Sequence, residues 1–142
     1  MHNSVKLQFL SVAGNEQFAR TTAAAFASQM NPSVEELSDI RTAVSEAVKN
    51  AIVHGYDCQP DKTVTMWMEI KDDILEIVVS DTGRGIPDLA LAQKPFYTSK
   101  PGLELSGVGF SVMHAFMDEV DVESTCGVGT AVTMRKRIRH AS

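Results

Sequence analysis

The sequence predicts an α/β sandwich, with helices layered on one face of a mixed, mostly antiparallel sheet. Three observations carry that expectation. Residues 62–71 alternate strictly, with Val64, Met66, Met68 and Ile70 on one side and Thr63, Thr65, Trp67 and Glu69 on the other, which is the period of a half-buried strand. Residues 33–54 space their apolar side chains three or four apart, as a helix packed on one face does. The two periods follow one another as strand, helix, helix, strand, strand, helix, strand, strand, so neither an all-helical nor an all-strand architecture accounts for the chain.

The first strand is expected over 4–12, where Val5, Leu7 and Phe9 share a face, until Gly14 and Asn15 break it. A helix follows from Glu16 to Met30, with Asn15 as N-cap and Phe18, Thr22, Phe26 and Met30 four residues apart. Ser33 followed three residues later by Glu36 is a capping box, and it starts a second helix. The stripe of that helix is Leu37, Ile40, Val44, Ala47, Val48, Ala51 and Ile52; it runs to about His54, where Gly55 terminates it. Residues 62–81 form a hairpin around Asp72-Asp73. Residues 93–106 hold two prolines and several hydroxyl side chains, and a loop of that length inside one domain is more often functional than inert. From Gly107 an apolar segment (Phe110, Val112, Met113, Phe116, Met117) has helical spacing, and strands at about 118–125 and 129–138 complete the order.

Composition narrows the function classes. With 142 residues, 44% of them hydrophobic, and no repeat or linker, the chain is expected to be a single domain over 1–142, large enough to hold a core without disulfides. Two cysteines suit a reducing cytosol. No basic stretch followed by an apolar run marks the N-terminus, and no apolar segment approaches the ~20 residues of a membrane span, so a cytoplasmic protein without membrane attachment is expected. The net charge of −5 argues against general nucleic-acid binding. The last ten residues carry Arg135, Lys136, Arg137 and Arg139, leaving nine basic against eighteen acidic residues before them; a solvated basic end is expected there rather than a phosphate-tracking patch.

Six of the nine glycines fall in three G-x-G pairs, Gly83/Gly85, Gly107/Gly109 and Gly127/Gly129. Such pairs mark backbone that turns sharply or approaches a ligand closely. No P-loop motif is present, and none of the pairs extends to the dinucleotide fingerprint. The second helix gives the pairs a context. Glu46, Asn50 and His54 lie four apart, on a stripe bordering the apolar one, where a carboxylate can accept a proton and an amide oxygen can ligate a hard cation. Asp81 continues the inward face of Leu75, Ile77 and Val79; it either closes an Asp81-Thr82-Gly83 turn onto backbone amides or accepts a hydrogen bond from the exocyclic amine of a base, with Gly83 and Gly85 beside the ring. Gly107, Val108, Gly109 and Phe110 open a helix whose free amides favour an anion, and Thr98, Ser99 and Lys100 add hydroxyls and an ammonium for outer phosphates. Thr130 follows the third pair, either simply starting a strand or reaching Asp81 or the base from it.

Taken in order, Glu46-Ala47-Val48-Lys49-Asn50-Ala51, Asp81-Thr82-Gly83-Arg84-Gly85, Gly107-Val108-Gly109-Phe110 and Gly127-Val128-Gly129-Thr130 resemble the N box and the glycine boxes of the GHKL superfamily of ATPases. Asn15-Glu16-Gln17-Phe18-Ala19-Arg20, Ala51-Ile52-Val53-His54-Gly55-Tyr56 and Thr98-Ser99-Lys100-Pro101 extend the resemblance to the bacterial anti-sigma serine kinases, the sporulation branch above all. The resemblance implies a Bergerat ATP-binding fold closed by a lid at about 93–106, with Asn50 as the Mg2+ ligand, Asp81 as the adenine contact and Glu46 as the base for a serine hydroxyl. It implies two protein partners: an anti-anti-sigma factor phosphorylated on serine, and an RNA polymerase sigma factor of the sporulation sigma F type held inactive by a homodimer. Arg20 matches the partner-binding surface. Leu105 stands where close relatives often carry an arginine, and Lys100 is the candidate to replace it. Three other readings are weighed: an anti-sigma kinase of a general stress response, a detached histidine-kinase ATPase domain, and a binding module whose nucleotide only fixes its shape. Glu46 favours the serine kinase over the histidine-kinase domain, and Glu46 with Asn50 favours it over the binding module.

Overall fold

The computed structural model describes residues 1–86 and 109–139. Its elements are β1 (His2–Leu10), α1 (Asn15–Ala27) with a 3-10 turn at Ser28–Met30, α2 (Val34–Lys49) continued by a π-helical segment Asn50–Gly55, β2 (Thr63–Lys71), β3 (Ile74–Asp81), α3 (Gly109–Phe116), β4 (Glu119–Thr125) and β5 (Gly129–Arg137). The five strands make one sheet in the order β1-β2-β3-β5-β4, every pairing antiparallel. The helices cover one face, as an α/β sandwich requires.

The core lies between the sheet and the helices. Met66, Met68, Ile70, Leu75, Ile77 and Met134 are fully buried from the sheet, and Ile40, Ala43, Val44, Ala47 and Val48 meet them from α2. The capping box forms as its spacing predicts: Ser33 Oγ accepts from the Glu36 amide at 3.0 Å, and Glu36 Oε1 accepts from the Ser33 amide at 2.9 Å. The other oxygen of Glu36 accepts from the Arg139 amide at 2.8 Å. Burial acts to raise the Glu36 pKa, but these amides, the Ser33 hydroxyl and the charge of Lys136 outweigh it and hold the carboxyl below its ordinary value.

Two local expectations are corrected. Asn15 does not cap α1; Gly14 holds the N-cap position, and the Asn15 side-chain Nδ2 instead donates to the Leu10 carbonyl at 2.9 Å, tying the helix start to the end of β1. The buried face of α1 is built mainly of small residues, Ala19, Ala23, Ala24 and Ala27 with Phe26, whereas Phe18 is 53% exposed and meets the Phe9 ring in a T-shaped contact. Alanine on that face lets α1 lie close to its neighbours, which a stripe drawn from large residues misses.

The basic C-terminal segment is likewise not a solvated end. Among the described residues, Arg135, Lys136 and Arg137 belong to β5 and each is engaged, and the Arg139 backbone amide donates to Glu36. Arg135 pairs with Glu76, Glu119 and Asp121, and Arg137 with Asp73. Lys136 is buried, donating to the Phe116 carbonyl at the end of α3 at 2.8 Å and facing Asp39 of α2 at 3.6 Å. A buried ammonium persists only with such partners, so Lys136 ties β5, α2 and α3 together.

No helix among the described residues covers the other face of the sheet. One row crosses it in register, Lys6, Trp67, Val78, Thr133 and Asp121. The Trp67 ring is 53% exposed with the Lys6 ammonium 5.2 Å from its centroid.

Candidate functional site

At one end of the sheet, the end of the second helical segment meets the end of β3 and the β4-β5 turn. The helix changes pitch there. Regular α geometry ends at Lys49, and the wider π turn beginning at Asn50 closes with the Tyr56 amide bonded to the Ala51 carbonyl, five residues back, at 3.0 Å. Such wide turns are rare and frequently fall at functional positions. Glu46 lies one turn earlier on α2, mostly buried, with Oε1 3.0 Å from the Lys49 ammonium. Asn50 is half-buried at the junction.

Asp81 is 6% exposed, on the inward row where alternation places it. Its Oδ1 accepts from the Gly83 amide at 2.9 Å, which is the turn geometry allowed by the simpler reading of the sequence. The Thr130 amide, opposite it on β5, also donates to the carboxylate. Burial pushes the Asp81 carboxyl above the usual aspartate range, and these two amides draw it only part of the way back. A carboxylate in that state gains from one more donor, and an exocyclic amine is such a donor.

The glycines explain how backbone closes around this carboxylate. A Cβ on Gly55 would stand 2.8 Å from Asp81 Cγ, and one on Gly83 would collide with the Gly55 carbonyl. One on Gly129 would strike the Asp81 carbonyl, and one on Gly85 would lie 2.5 Å from the Thr125 carbonyl. The segments are also hydrogen-bonded: Arg84 N to Gly55 O at 3.1 Å, Gly127 N to Arg84 O at 2.8 Å, and Ile86 N to Ser124 Oγ at 2.7 Å. Thr130 is buried, its hydroxyl 2.8 Å from Ser124 Oγ. One glycine of the first pair, Gly83, and one of the third, Gly129, therefore lie against Asp81, while Gly85 and Gly127 join the β3 end to the β4-β5 turn. Gly109 and Phe110 begin α3, with Phe110 buried. Gly107, Val108, Thr98, Ser99, Lys100, Leu105 and the 93–106 segment lie outside the described residues.

Gly55 and Tyr56 were not legible as site residues. Sequence spacing assigns Gly55 only to helix termination, and the helical segment does end there, but its lack of a side chain also serves close packing against Asp81 and Gly83. Tyr56 is buried with its hydroxyl against Thr82. On α1, Arg20 is partly exposed, with Nε 3.9 Å from Glu16 Oε2, and the other Glu16 oxygen accepts from Ser45 beside Glu46.

Among the described residues no group of three or more His, Cys, Asp or Glu side chains is gathered for a metal. Mg2+ that bridges phosphates needs only one or two protein oxygens, and the Asn50 amide at the helix junction fits that demand.

Comparison with known proteins agrees with this geometry. A family model described as a histidine kinase-like ATPase domain matches residues 13–136. An anti-sigma F factor of Clostridium perfringens (strain SM101 / Type A) is 49% identical over 138 residues, covering 97% of this chain and 99% of that protein. One from Geobacillus kaustophilus (strain HTA426) is 49% identical over 138 residues, covering 97% and 94%. Among solved structures, the RsbU and RsbW domains of Rv1364c from Mycobacterium tuberculosis align with a TM-score of 0.70 at 16% identity, over 99% of this chain and 35% of that one. The catalytic domain of the histidine kinase ThkA aligns at 0.59 and 13% identity, over 94% and 96%. At such identities the structural likeness speaks for the fold.

Proposed function

The chain belongs to the histidine kinase-like ATPase domain family, alongside the anti-sigma F factors, and from that membership we propose that it is an ATP-dependent protein serine kinase that also sequesters an RNA polymerase sigma factor of the sporulation sigma F type. Its substrate is an anti-anti-sigma factor, and the whole chain acts as one ATPase domain with a lid at 93–106. The observation that carries the reading is the buried Asp81 carboxylate, backed by Gly55 and held by the Gly83 amide, at the end of the helix bearing Glu46 and Asn50.

In this reading Asp81 accepts a hydrogen bond from the adenine amine, and Gly83 and Gly85 admit the ring. Gly107, Val108, Gly109 and Phe110 present amides to the phosphates, with Thr98, Ser99 and Lys100 at the outer ones and Lys100 serving where Leu105 has displaced an arginine. Thr130 supports the base from β5. Asn50 holds Mg2+, which when bound neutralises charge on the phosphates. Glu46 takes the proton of the seryl hydroxyl as its oxygen bonds the γ-phosphorus and the bond to the ADP oxygen breaks. Arg20 belongs to the partner-binding surface. No helix among the described residues is long and apolar enough to cross a membrane.

The chain is also proposed to form a homodimer through its open sheet face. A two-fold axis along β3 sets Val78 against its equivalent and lays Lys6 over Asp121 and Glu69 over Arg135 of the second copy, a self-complementary charge pattern.

The deciding experiment offers the protein radiolabelled ATP and an anti-anti-sigma protein. Transfer of the γ-phosphate to an acid-stable phosphoserine is expected, with sigma factor captured in ATP and released by the anti-anti-sigma protein in ADP. Acid-labile phosphohistidine, or capture indifferent to nucleotide, would overturn the reading.

A further inference from the structure

Tyr56 sits behind the base-recognition end of the pocket, and we propose that its hydroxyl is a positioning residue for nucleobase specificity, fixing the Asp81-Thr82-Gly83 turn so that the Asp81 carboxylate faces the amine of adenine. This rests on the reading of Asp81 as the adenine contact.

The phenol oxygen joins three segments of chain. It donates to the Thr63 carbonyl, at the start of β2, at 2.6 Å, and accepts from the Thr82 amide at 2.7 Å. The Thr82 hydroxyl lies 3.2 Å away; with the tyrosine proton engaged by Thr63, the threonine is the donor in that pair. Tyr56 is itself buried, so these bonds are made away from competing water.

The position of Thr82 gives the contact its consequence. The registered pairings of β3 end at Ser80 on the β2 side and at Asp81 on the β5 side, so the Thr82 amide falls beyond both ladders and Tyr56 takes it instead. Asp81 is anchored through its own turn, by the Gly83 amide two residues on. The peptide between Asp81 and Thr82 is thus the pivot of the carboxylate, and the phenol holds it. Gly55, adjacent to Tyr56, braces the same carboxylate from behind, with room for no side chain between them.

Orientation matters because adenine and guanine differ in sign at this position. Adenine offers an N–H donor at C6, whereas guanine offers a carbonyl acceptor that a facing carboxylate repels. A carboxylate free to swing loses attraction to the one and repulsion toward the other, so selectivity falls along with affinity.

The test compares ATP, GTP and purine riboside triphosphate, which lacks the 6-amino group, on wild type and Tyr56→Phe by titration calorimetry. Tyr56→Phe is expected to weaken ATP about tenfold, to leave purine riboside triphosphate within about twofold, and to lower the ATP-to-GTP preference. Phosphoryl transfer at saturating ATP should stay within about threefold. In an Asp81→Asn background the same change should add no further loss. Equal weakening of ATP and purine riboside triphosphate, or an unaltered ATP-to-GTP ratio, would reduce Tyr56 to a structural role and overturn the proposal. Should Tyr56→Phe not fold, replacing Thr82 by its α-hydroxy acid deletes the N–H that the phenol accepts while leaving Tyr56 in place, and an unchanged ratio there overturns the proposal equally. If the wild-type protein binds ATP no better than purine riboside triphosphate, the Asp81 assignment itself fails, a result distinct from either outcome at Tyr56.

Discussion

The Lys49 ammonium lies 3.0 Å from Glu46 Oε1, three residues apart on the last turn of regular α2. Lys49 is half exposed, and a helix pair with one solvated partner contributes only about 0.3–0.5 kcal/mol, so in the proposed reaction a seryl hydroxyl displaces it at little cost. Glu46→Gln is expected to keep ATP binding and lose about 10²- to 10⁴-fold in phosphoryl transfer. Lys49→Met should leave the rate within about threefold, because the pair is not part of the reaction. Single-turnover transfer measured on both variants separates them; an active Glu46→Gln would remove the base from the mechanism.

Asn50→Ala should weaken Mg2+-dependent ATP binding by about tenfold or more while changing magnesium-free ADP binding much less. Calorimetry with and without the cation reads the difference. Equal loss in both conditions would mean that the half-buried amide matters for the α-to-π junction rather than for a cation.

The Asp81 carboxyl is raised by burial, so the folded protein holds that proton more tightly than the unfolded chain does. Stability of the nucleotide-free protein should therefore fall as pH rises from the ordinary aspartate range through the raised value, where the unfolded chain has already ionised. Asp81→Asn removes that component. The melting-temperature gap between the two proteins should be small at low pH, widen in favour of the variant through this window, and level off above it. ATP should close the gap for wild type alone. A gap that does not vary with pH would contradict the linkage.

Gly55→Ala is expected to abolish most nucleotide binding, since its Cβ would stand 2.8 Å from the Asp81 carboxyl group. The helix itself tolerates alanine better than glycine, so far-ultraviolet circular dichroism should be preserved. Intact ATP affinity in this variant would show that Asp81 can retreat without consequence.

Trp67→Glu should leave a folded monomer if the open sheet face is the dimer surface, because the new carboxylate would be buried against Thr133 of the second copy with no cation to pair it. Sedimentation velocity measures this. The chain has one tryptophan, so its fluorescence should also shift on dilution of the wild type. An unchanged sedimentation coefficient would place the dimer elsewhere.

Alternation and capping chemistry made the architecture readable. The period of two located β2 and β3 to within a residue and put Asp81 on the inner row, and Ser33 with Glu36 located the start of α2. What stayed illegible depends on neighbours distant in sequence. The π turn at Asn50 has no periodic signature, and Gly55 is explained only by what Asp81 and Gly83 bring against it. Asn15 has the chemistry of a cap, yet the Leu10 carbonyl claims it. The basic C-terminal residues looked solvated because their acids, Asp39, Asp73, Glu76, Glu119 and Asp121, lie between 14 and 97 positions away. The grouping of the glycine pairs about one acid was suggested by their order; their contacts with one another needed the fold.

The strand order has a consequence for biosynthesis. Since β5 lies between β3 and β4, the sheet cannot be completed by residues in the order in which a ribosome delivers them. β4 emerges with no edge of its own to join, and β3 presents an open edge until Gly129–Arg137 arrives. Thr130 and the Lys136 tie to α2 and α3 arrive with the same strand. The nascent chain thus has no finished nucleotide pocket, and a chain truncated before Gly129 should be open to proteolysis and unable to bind ATP.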